Sequence, residues 1–360
     1  MRRALEQAKL GEGLTRPNPP VGAVLVRGQR VVGEGYHKRA GGPHAEVFAL
    51  AEAGQSSRGA TLYVTLEPCS TSGRTGPCTE AVAASGVRRV VIGVNDPNPN
   101  HRGRAVRILK RHGISVTTGI CGQEASRLIE PFRVWTETGR PLLTLKLAMT
   151  LDGRIADSSG ASKWITGRKA REDVQRLRRT ADAILVGAGT VSADNPSLLP
   201  RPAFGRKPYR VMVVGKDALR RNTQIFWDAA AARTLVACPP SAVTRCTRSI
   251  GGGAAEIVPC RASKGGVSVK DLMKKLGDRG LLHVVCEGGG DLAASLIAAD
   301  LVQHYVLYYG ASLLGGAKSV AGIGGAGWQM GSRPQLSILR TDLLGKDLRI
   351  LAQPVKQKEP

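Results

Sequence analysis

Residues 44–53 read His-Ala-Glu-Val-Phe-Ala-Leu-Ala-Glu-Ala, residues 61–69 read Thr-Leu-Tyr-Val-Thr-Leu-Glu-Pro-Cys, and Cys78 follows after eight intervening residues. The first run reads as a helix from about His44 to Ala53. The second is a strand over Thr61–Leu66 that ends at Pro68-Cys69, and Cys78 opens another helix to about Ser85. Working outward, Val21–Val26, Val31–Gly35 and Val90–Val94 are further strand-like runs. The turn-rich Asn95-Asp-Pro-Asn-Pro-Asn100 precedes a helix and strand within Ala105–Val116. Strands separated by helices predict a layered α/β unit, closing near Gly139.

Within that unit the chemistry lies at the ends of elements. His44, Cys69 and Cys78 supply one imidazole and two thiolates, a ligand set for Zn²⁺ that leaves a fourth position for water, whose pKa the metal brings toward about 7. Glu46, two residues beyond the imidazole, can take that water's proton and pass it to a leaving amine without binding metal. Such a site hydrolyses an amino group off a ring. The plainer alternative makes His44 a helix cap and the two cysteines buried thiols or part of a structural zinc site. Three features in order, each at a strand-to-helix junction, favour the catalytic reading, because helix N-termini also stabilise thiolates. Cys121, Cys238, Cys246, Cys260 and Cys286 show no ligand spacing and read as core or surface residues.

The whole chain has 360 residues, 42% hydrophobic and 22% charged, which excludes a disordered protein and suits two domains. No apolar run reaches the roughly 18 to 20 residues of a membrane span, and Met1–Leu10, with Arg2, Arg3, Glu6 and Lys9, lacks a signal-peptide core. A soluble, cytoplasmic protein without a membrane partner is expected. Seven cysteines, an odd number over a long chain, suit a reducing compartment. The net charge of +24 invites a nucleic-acid reading, but it is spread over both halves and aromatic residues are only 4%. A phosphorylated metabolite therefore stands ahead of nucleic acid as the partner.

The second segment offers strands at Pro141–Met149, Ala181–Gly187, Tyr209–Gly215, Thr234–Ala237, Leu282–Cys286 and Val306–Tyr309. Helices are expected at Arg168–Arg179, Val269–Leu276 and Leu292–Ala299, a second α/β unit. Ser241–Lys264, rich in Gly, Ser and Ala, is expected to be loop apart from a short strand around Ile257. No Gly-x-Gly-x-x-Gly follows the first strand, so a Rossmann fold is not supported. Gly187-Ala-Gly-Thr190 and Glu287-Gly-Gly-Gly-Asp291 do follow strands, where glycines let backbone approach a pyrophosphate. Either cluster alone reads better as a tight turn.

His44-Ala-Glu46 with Pro68-Cys69 resembles the cytidine deaminase superfamily, whose signature closes with Cys-x-x-Cys. The longer insert here, with Arg16-Pro-Asn-Pro-Pro-Val-Gly22, Gly33-Glu-Gly-Tyr-His37 and Asn95-Asp-Pro-Asn-Pro99, resembles the deaminase half of the bifunctional riboflavin-biosynthesis deaminase-reductases. Thr71 and Ser72 stand where that family commonly has two histidines, and Gly76 where it has proline. The second segment resembles the reductase half through Lys146-Leu-Ala-Met-Thr-Leu-Asp-Gly-Arg-Ile-Ala156, Ser162-Lys-Trp-Ile-Thr166, Gly189-Thr190, Ala193-Asp-Asn-Pro196 and Glu287-Gly-Gly.

The resemblance implies a cytidine-deaminase-like three-layer domain over 1–139 and a dihydrofolate-reductase-like α/β domain over 140–360. It implies Zn²⁺ and NADPH as cofactors and a homo-oligomer. The first domain would deaminate 2,5-diamino-6-ribosylamino-4(3H)-pyrimidinone 5′-phosphate, and the second would reduce the ribosyl group to ribityl. Asn18, His37 and the Lys38–Gly42 loop would line the first pocket. Ala148, Trp164, Thr190, Asp194 and the run Gly289, Gly290, Asp291, Leu292, Ala293, Ala294 and Ser295 would contact the nucleotide. Ser162, Arg178, Leu198, Arg201 and Glu287 would contact substrate, the two arginines through charge-assisted bonds to its phosphate. Gly215-Lys216 replaces the acidic and hydroxyl residues usual in the family, and Lys216 is expected to meet the 2′-phosphate of NADPH. A single retained activity, a tRNA or nucleoside deaminase with an RNA-binding second half, and a zinc scaffold remain as alternatives.

Overall fold

The computed structural model describes residues 1–71, 76–215, 219, 223–264 and 266–355. The chain forms two compact units, Met1–Arg140 and Pro141–Pro360.

Unit 1 runs α1 (Arg2–Leu10), β1 (Gly22–Arg27), β2 (Arg30–Tyr36), α2 (Ala45–Ala53), β3 (Thr61–Leu66), α3 (Cys78–Ala84), β4 (Arg89–Val94), α4 (Arg104–Arg111), β5 (Ser115–Thr118), α5 (Gly122–Leu128) and α6 (Glu130–Thr138). Its five strands lie in the order β2-β1-β3-β4-β5. β1 is antiparallel to β2 and β3, and β3, β4 and β5 are parallel. Alternate residues of the central strands, Ala23, Leu25, Leu62, Val64, Val90 and Ile92, meet Ala45, Ala49, Val82 and Leu109 of α2, α3 and α4 in one core. α1 and α5 lie against the opposite face, which makes three layers. Glycine is required where β2 meets α2: a Cβ on Gly33 would sit 2.2 Å from the Ala49 carbonyl oxygen, and one on Gly35 2.4 Å from Phe48 Cβ. That close approach seats the helix that carries Glu46 directly on the sheet.

Unit 2 runs β6 (Leu142–Thr150), β7 (Arg154–Ala156), α7 (Arg168–Thr180), β8 (Ala183–Gly187), α8 (Ala188–Asp194), β9 (Tyr209–Val213), β10 (Thr234–Cys238), α9 (Val243–Ile250), β11 (Glu256–Pro259), β12 (Ala262–Ser263), β13 (Gly266–Val267), α10 (Val269–Asp278), β14 (His283–Cys286), α11 (Gly290–Ala298), β15 (His304–Gly310), β16 (Val320–Ala321), β17 (Leu336–Leu344) and β18 (Asp347–Pro354). The main sheet has nine strands in the order β11-β10-β9-β8-β14-β6-β15-β18-β17. It is parallel from β11 to β15, and β18 and β17 close it as an antiparallel hairpin. Leu143, Leu145, Leu185 and Val284 pack with α10 and α11 on one face. Ile184, Val186, Met212 and Val236 pack with α8 and α9 on the other. Each such fully buried aliphatic side chain stabilises the fold by about 1.5–3 kcal/mol.

Two features correct the sequence expectation. Residues 241–264 are not mainly loop: besides the expected strand around Ile257, which is β11, they hold α9. Ala242, Cys246 and Ile250 recur four residues apart and are all buried, so a short apolar stripe fixes a helix that the Gly, Ser and Ala content obscures. The hairpin β17–β18, which extends the sheet beyond β15, was not anticipated. Among the described residues, no helix is long and apolar enough to cross a membrane.

Candidate functional site

In unit 1 the ends of three elements converge. His44 is the N-cap of α2, Cys69 lies three residues past the end of β3, and Cys78 is the first residue of α3. His44 Nδ1 lies 3.1 Å from Cys78 Sγ and 3.4 Å from Cys69 Sγ, and the Cys78 N–H donates to Cys69 Sγ at 3.2 Å. The three donor atoms all fall within 4.8 Å of one another. Hydrogen bonds from Cys78, and then from His44, hold the Cys69 thiol far below its usual range at about 4. The Cys78 thiol is pushed up, first by sharing with Cys69 and then by burial. A lowered thiol beside a raised one suits a donor set that releases protons on taking up a metal.

Glu46, in the first turn of α2, is 3% exposed, and its Oε2 has no hydrogen-bond partner among the described residues. Burial raises its carboxyl above the ordinary range. An orphaned buried carboxylate oxygen beside a borderline-soft donor set fits a Zn²⁺ with one open position. His37 packs edge-on against His44 with ring centroids 5.1 Å apart. Its Nδ1 lies 3.0 Å from the Pro43 carbonyl oxygen and its Nε2 3.1 Å from Asn18 Nδ2, so Asn18 stands one residue removed from the donor set. Thr71 and Gly76 are exposed, and Ser72 lies outside the described residues.

Glu67, two residues before Cys69, ties that strand end to the next loop. Its Oε2 accepts the N–H groups of Asp96 at 3.1 Å and Gly103 at 2.9 Å, and its Oε1 accepts that of Ala105 at 3.1 Å. The carboxylate thereby serves the first amides of α4.

Unit 2 contains a cavity of about 680 Å³ at the carboxyl ends of parallel strands, where ligands of open α/β sheets bind. Ala148, Ser162, Trp164, Arg178, Thr190, Asp194, Leu198, Arg201, Glu287, Gly289 and Gly290 line it. The remainder of the expected nucleotide run does not: Asp291–Ser295 continue into α11, where Leu292, Ala293 and Ala294 are buried and Asp291 accepts the Gly325 N–H at 3.1 Å. Of the glycines at this turn, Gly290 leaves no room for a side chain, since a Cβ there would lie 2.9 Å from the Ala321 carbonyl oxygen. Lys216 lies outside the described residues.

Two of the innermost charges of this cavity, Arg178 and Glu287, are paired. Arg178 clasps Glu287 through Nε to Oε1 at 2.6 Å and Nη2 to Oε2 at 2.8 Å, and its Nη1 donates to the Leu199 carbonyl at 3.2 Å. Three of its five N–H groups are therefore engaged within the protein. Burial alone would raise the Glu287 carboxyl, but the Arg178 charge and hydrogen bonds bring it below the ordinary range. Lys146 of β6 shares the wall. Burial lowers its ammonium pKa, with Glu287 acting in the opposite direction. The sequence motif at 146–156 gives Lys146 no role of its own. The available signal was a lone charge inside the apolar run Leu142–Thr150.

Comparison with known proteins agrees with this geometry. Residues 141–349 match the family described as RibD C-terminal domain, and residues 1–94 the cytidine and deoxycytidylate deaminase zinc-binding region. The riboflavin biosynthesis protein RibD of Bacillus amyloliquefaciens is 38% identical over 100% of this chain and 96% of its own length. The structure of Acinetobacter baumannii RibD superposes with a TM-score of 0.89 at 35% identity, covering 99% of this chain and 98% of that one. The Thermotoga maritima diaminohydroxyphosphoribosylaminopyrimidine deaminase/5-amino-6-(5-phosphoribosylamino)uracil reductase gives 0.87 at 36% identity, covering 99% and 97%. The chain belongs to the RibD family, the deaminase-reductases of riboflavin biosynthesis.

Proposed function

We propose that residues 1–139 deaminate 2,5-diamino-6-ribosylamino-4(3H)-pyrimidinone 5′-phosphate and that residues 140–360 then reduce its ribosyl group with NADPH. The observation that carries the first step is the Oε2 of Glu46, which has no partner among the described residues, beside His44, Cys69 and Cys78. These three residues would hold zinc, which when bound makes a water acidic near neutrality. Glu46 would take a proton from the attacking water and return it to the departing amine, so that the water oxygen adds at the ring carbon and ammonia leaves. A carboxyl raised by burial is suited to both transfers. Asn18, oriented by His37, holds the ring.

In the second unit Arg201 and the two N–H groups left free on Arg178 face the phosphate, while Ser162 and Leu198 bound the substrate. Ala148, Trp164, Thr190, Asp194 and the Gly289–Gly290 turn take the nucleotide, and Lys216 its 2′-phosphate. NADPH, when bound, supplies the hydride. Glu287, held by Arg178, bounds the substrate on the inner wall. β17 sits at the edge of its sheet with Ile338, Leu339 and Leu343 at 61%, 48% and 76% exposure, which supports a homo-oligomer. We place the enzyme in the cytoplasm.

The test is mass spectrometry of products from the zinc-loaded protein and the diaminopyrimidinone ribotide, with and without NADPH. Deamination without NADPH and a further gain of two hydrogens with it are expected. Absence of turnover would overturn the assignment.

A further inference from the structure

One wall of the unit 2 cavity, formed by Pro196, Leu198 and Arg201, belongs to a segment without helix or strand of its own. Leu198 has φ +60° and is 2% exposed. A left-handed leucine is strained and persists only where its surroundings fix it. Here the carbonyls on both sides are held by guanidinium groups: Arg210 Nη1 donates to Ser197 at 3.4 Å, and Arg178 Nη1 to Leu199 at 3.2 Å. At the start of the segment Asn195 is also left-handed, with φ +40°. Gln224 donates to it twice, from its backbone N–H to Oδ1 at 2.8 Å and from its side-chain amide to the carbonyl.

Arg210 lies on β9, which contributes no residue to the cavity wall. Its side chain is 0% exposed. It pairs with Asp228 through Nη1 at 2.6 Å and Nη2 at 2.8 Å, and Nη2 also donates to the Ile225 carbonyl at 2.9 Å and Thr234 Oγ1 at 2.8 Å. A strand flanked by Val211 and Met212 would accept an apolar side chain here without the penalty of desolvating an ion pair. What the guanidinium adds is direction, since its planar fork fixes segments 195–201 and 223–234 relative to each other.

We propose that Arg210 is a positioning residue for reduction: together with Gln224 it fixes segment 195–201 with Leu198 left-handed, giving the substrate side of the cavity its shape. This rests on the reading that the cavity takes the deaminated ribotide. The test compares wild type with Arg210→Met/Asp228→Leu, which removes both charges together, and with Gln224→Ala, which alters only an exposed residue.

For the double variant the KM for the deaminated ribotide should rise about tenfold or more, with a smaller fall in kcat, unchanged NADPH binding by fluorescence and an undiminished melting temperature. Gln224→Ala should raise KM in the same direction by less. Amide hydrogen exchange of residues 195–201 should quicken in both, a readout independent of substrate. Unchanged KM and unchanged exchange in folded variants overturn the proposal, and if the double variant does not fold, Gln224→Ala decides it alone. Failure of wild type to reduce the ribotide would instead overturn the reading of the cavity, leaving the positioning to be judged by exchange.

Discussion

The two sites of this chain handle charge in opposite ways. In unit 1, His44, Cys69 and Cys78 crowd their donor atoms within 4.8 Å, beside a Glu46 oxygen that has no partner among the described residues. That arrangement is unsatisfied until a cation arrives. In unit 2, Glu287 is already clasped by Arg178, and the wall of a cavity of about 680 Å³ is held by side-chain bonds to backbone carbonyls. The first site is poised for small, strongly charged chemistry. The second is a shaped container whose wall is fixed by bonds within the protein. The same chain therefore depends on metal in one unit and on packing geometry in the other.

Removing metal should separate the two most sharply. Treatment with a chelator should abolish release of ammonia from the ribotide while leaving NADPH oxidation with the deaminated ribotide intact. Loss of both would break the contrast. Glu46→Gln should retain zinc by elemental analysis yet lower deamination by about 10²–10⁴-fold, with reduction unaffected. Arg178→Ala should act on the other unit, because it leaves Glu287 buried and unpaired. A loss of about 3–5 kcal/mol in the unfolding of unit 2, followed by calorimetry, is expected, with the zinc content of unit 1 unchanged.

The Glu287–Arg178 pair also gives the second unit a pH signature. The folded carboxyl lies below the ordinary value of 4.5, so its contribution is complete above that value and is lost as pH falls through the lower folded one. Thermal melts on the acid side should show this decline in wild type and less of it in Glu287→Gln. The smallest effect is expected at Lys216→Ala, which should narrow the preference for NADPH over NADH by several-fold in steady-state kinetics without changing the deaminase.

The same contrast explains what was readable beforehand. The unit 1 donors stand at the ends of elements whose own periodicity announces them, so His44, Glu46, Cys69 and Cys78 could be named from short local runs. Unit 2 assembles its wall from positions as far apart as Lys146 and Glu287, brought together by β6 and β14 lying side by side, and no local pattern carries that register. Resemblance supplied Arg178 and Glu287, but not that they bond each other. It also extends the nucleotide contacts through Ser295, whereas of that run only Gly289 and Gly290 line the cavity, Leu292 and Ala293 pack into the core, and Asp291 and Ser295 are exposed. α9 escaped notice because three buried positions in a Gly-, Ser- and Ala-rich stretch make a weak stripe. The β17–β18 hairpin was missed because the exposed apolar residues of its edge strand give no clean alternation of buried and polar positions.

Glu67 carries a lesson for anyone who would redesign the first site. Three amides of the 96–105 stretch hang on one carboxylate, two residues from Cys69. Residues 95–103 have the composition of a loop that tolerates exchange, and a library-builder seeking new ring specificities would randomise them first. Any graft that fails to return those three N–H groups to the same carboxylate will disturb a metal donor it never touches. Libraries there should hold the backbone of Asp96, Gly103 and Ala105 fixed and vary only the side chains between.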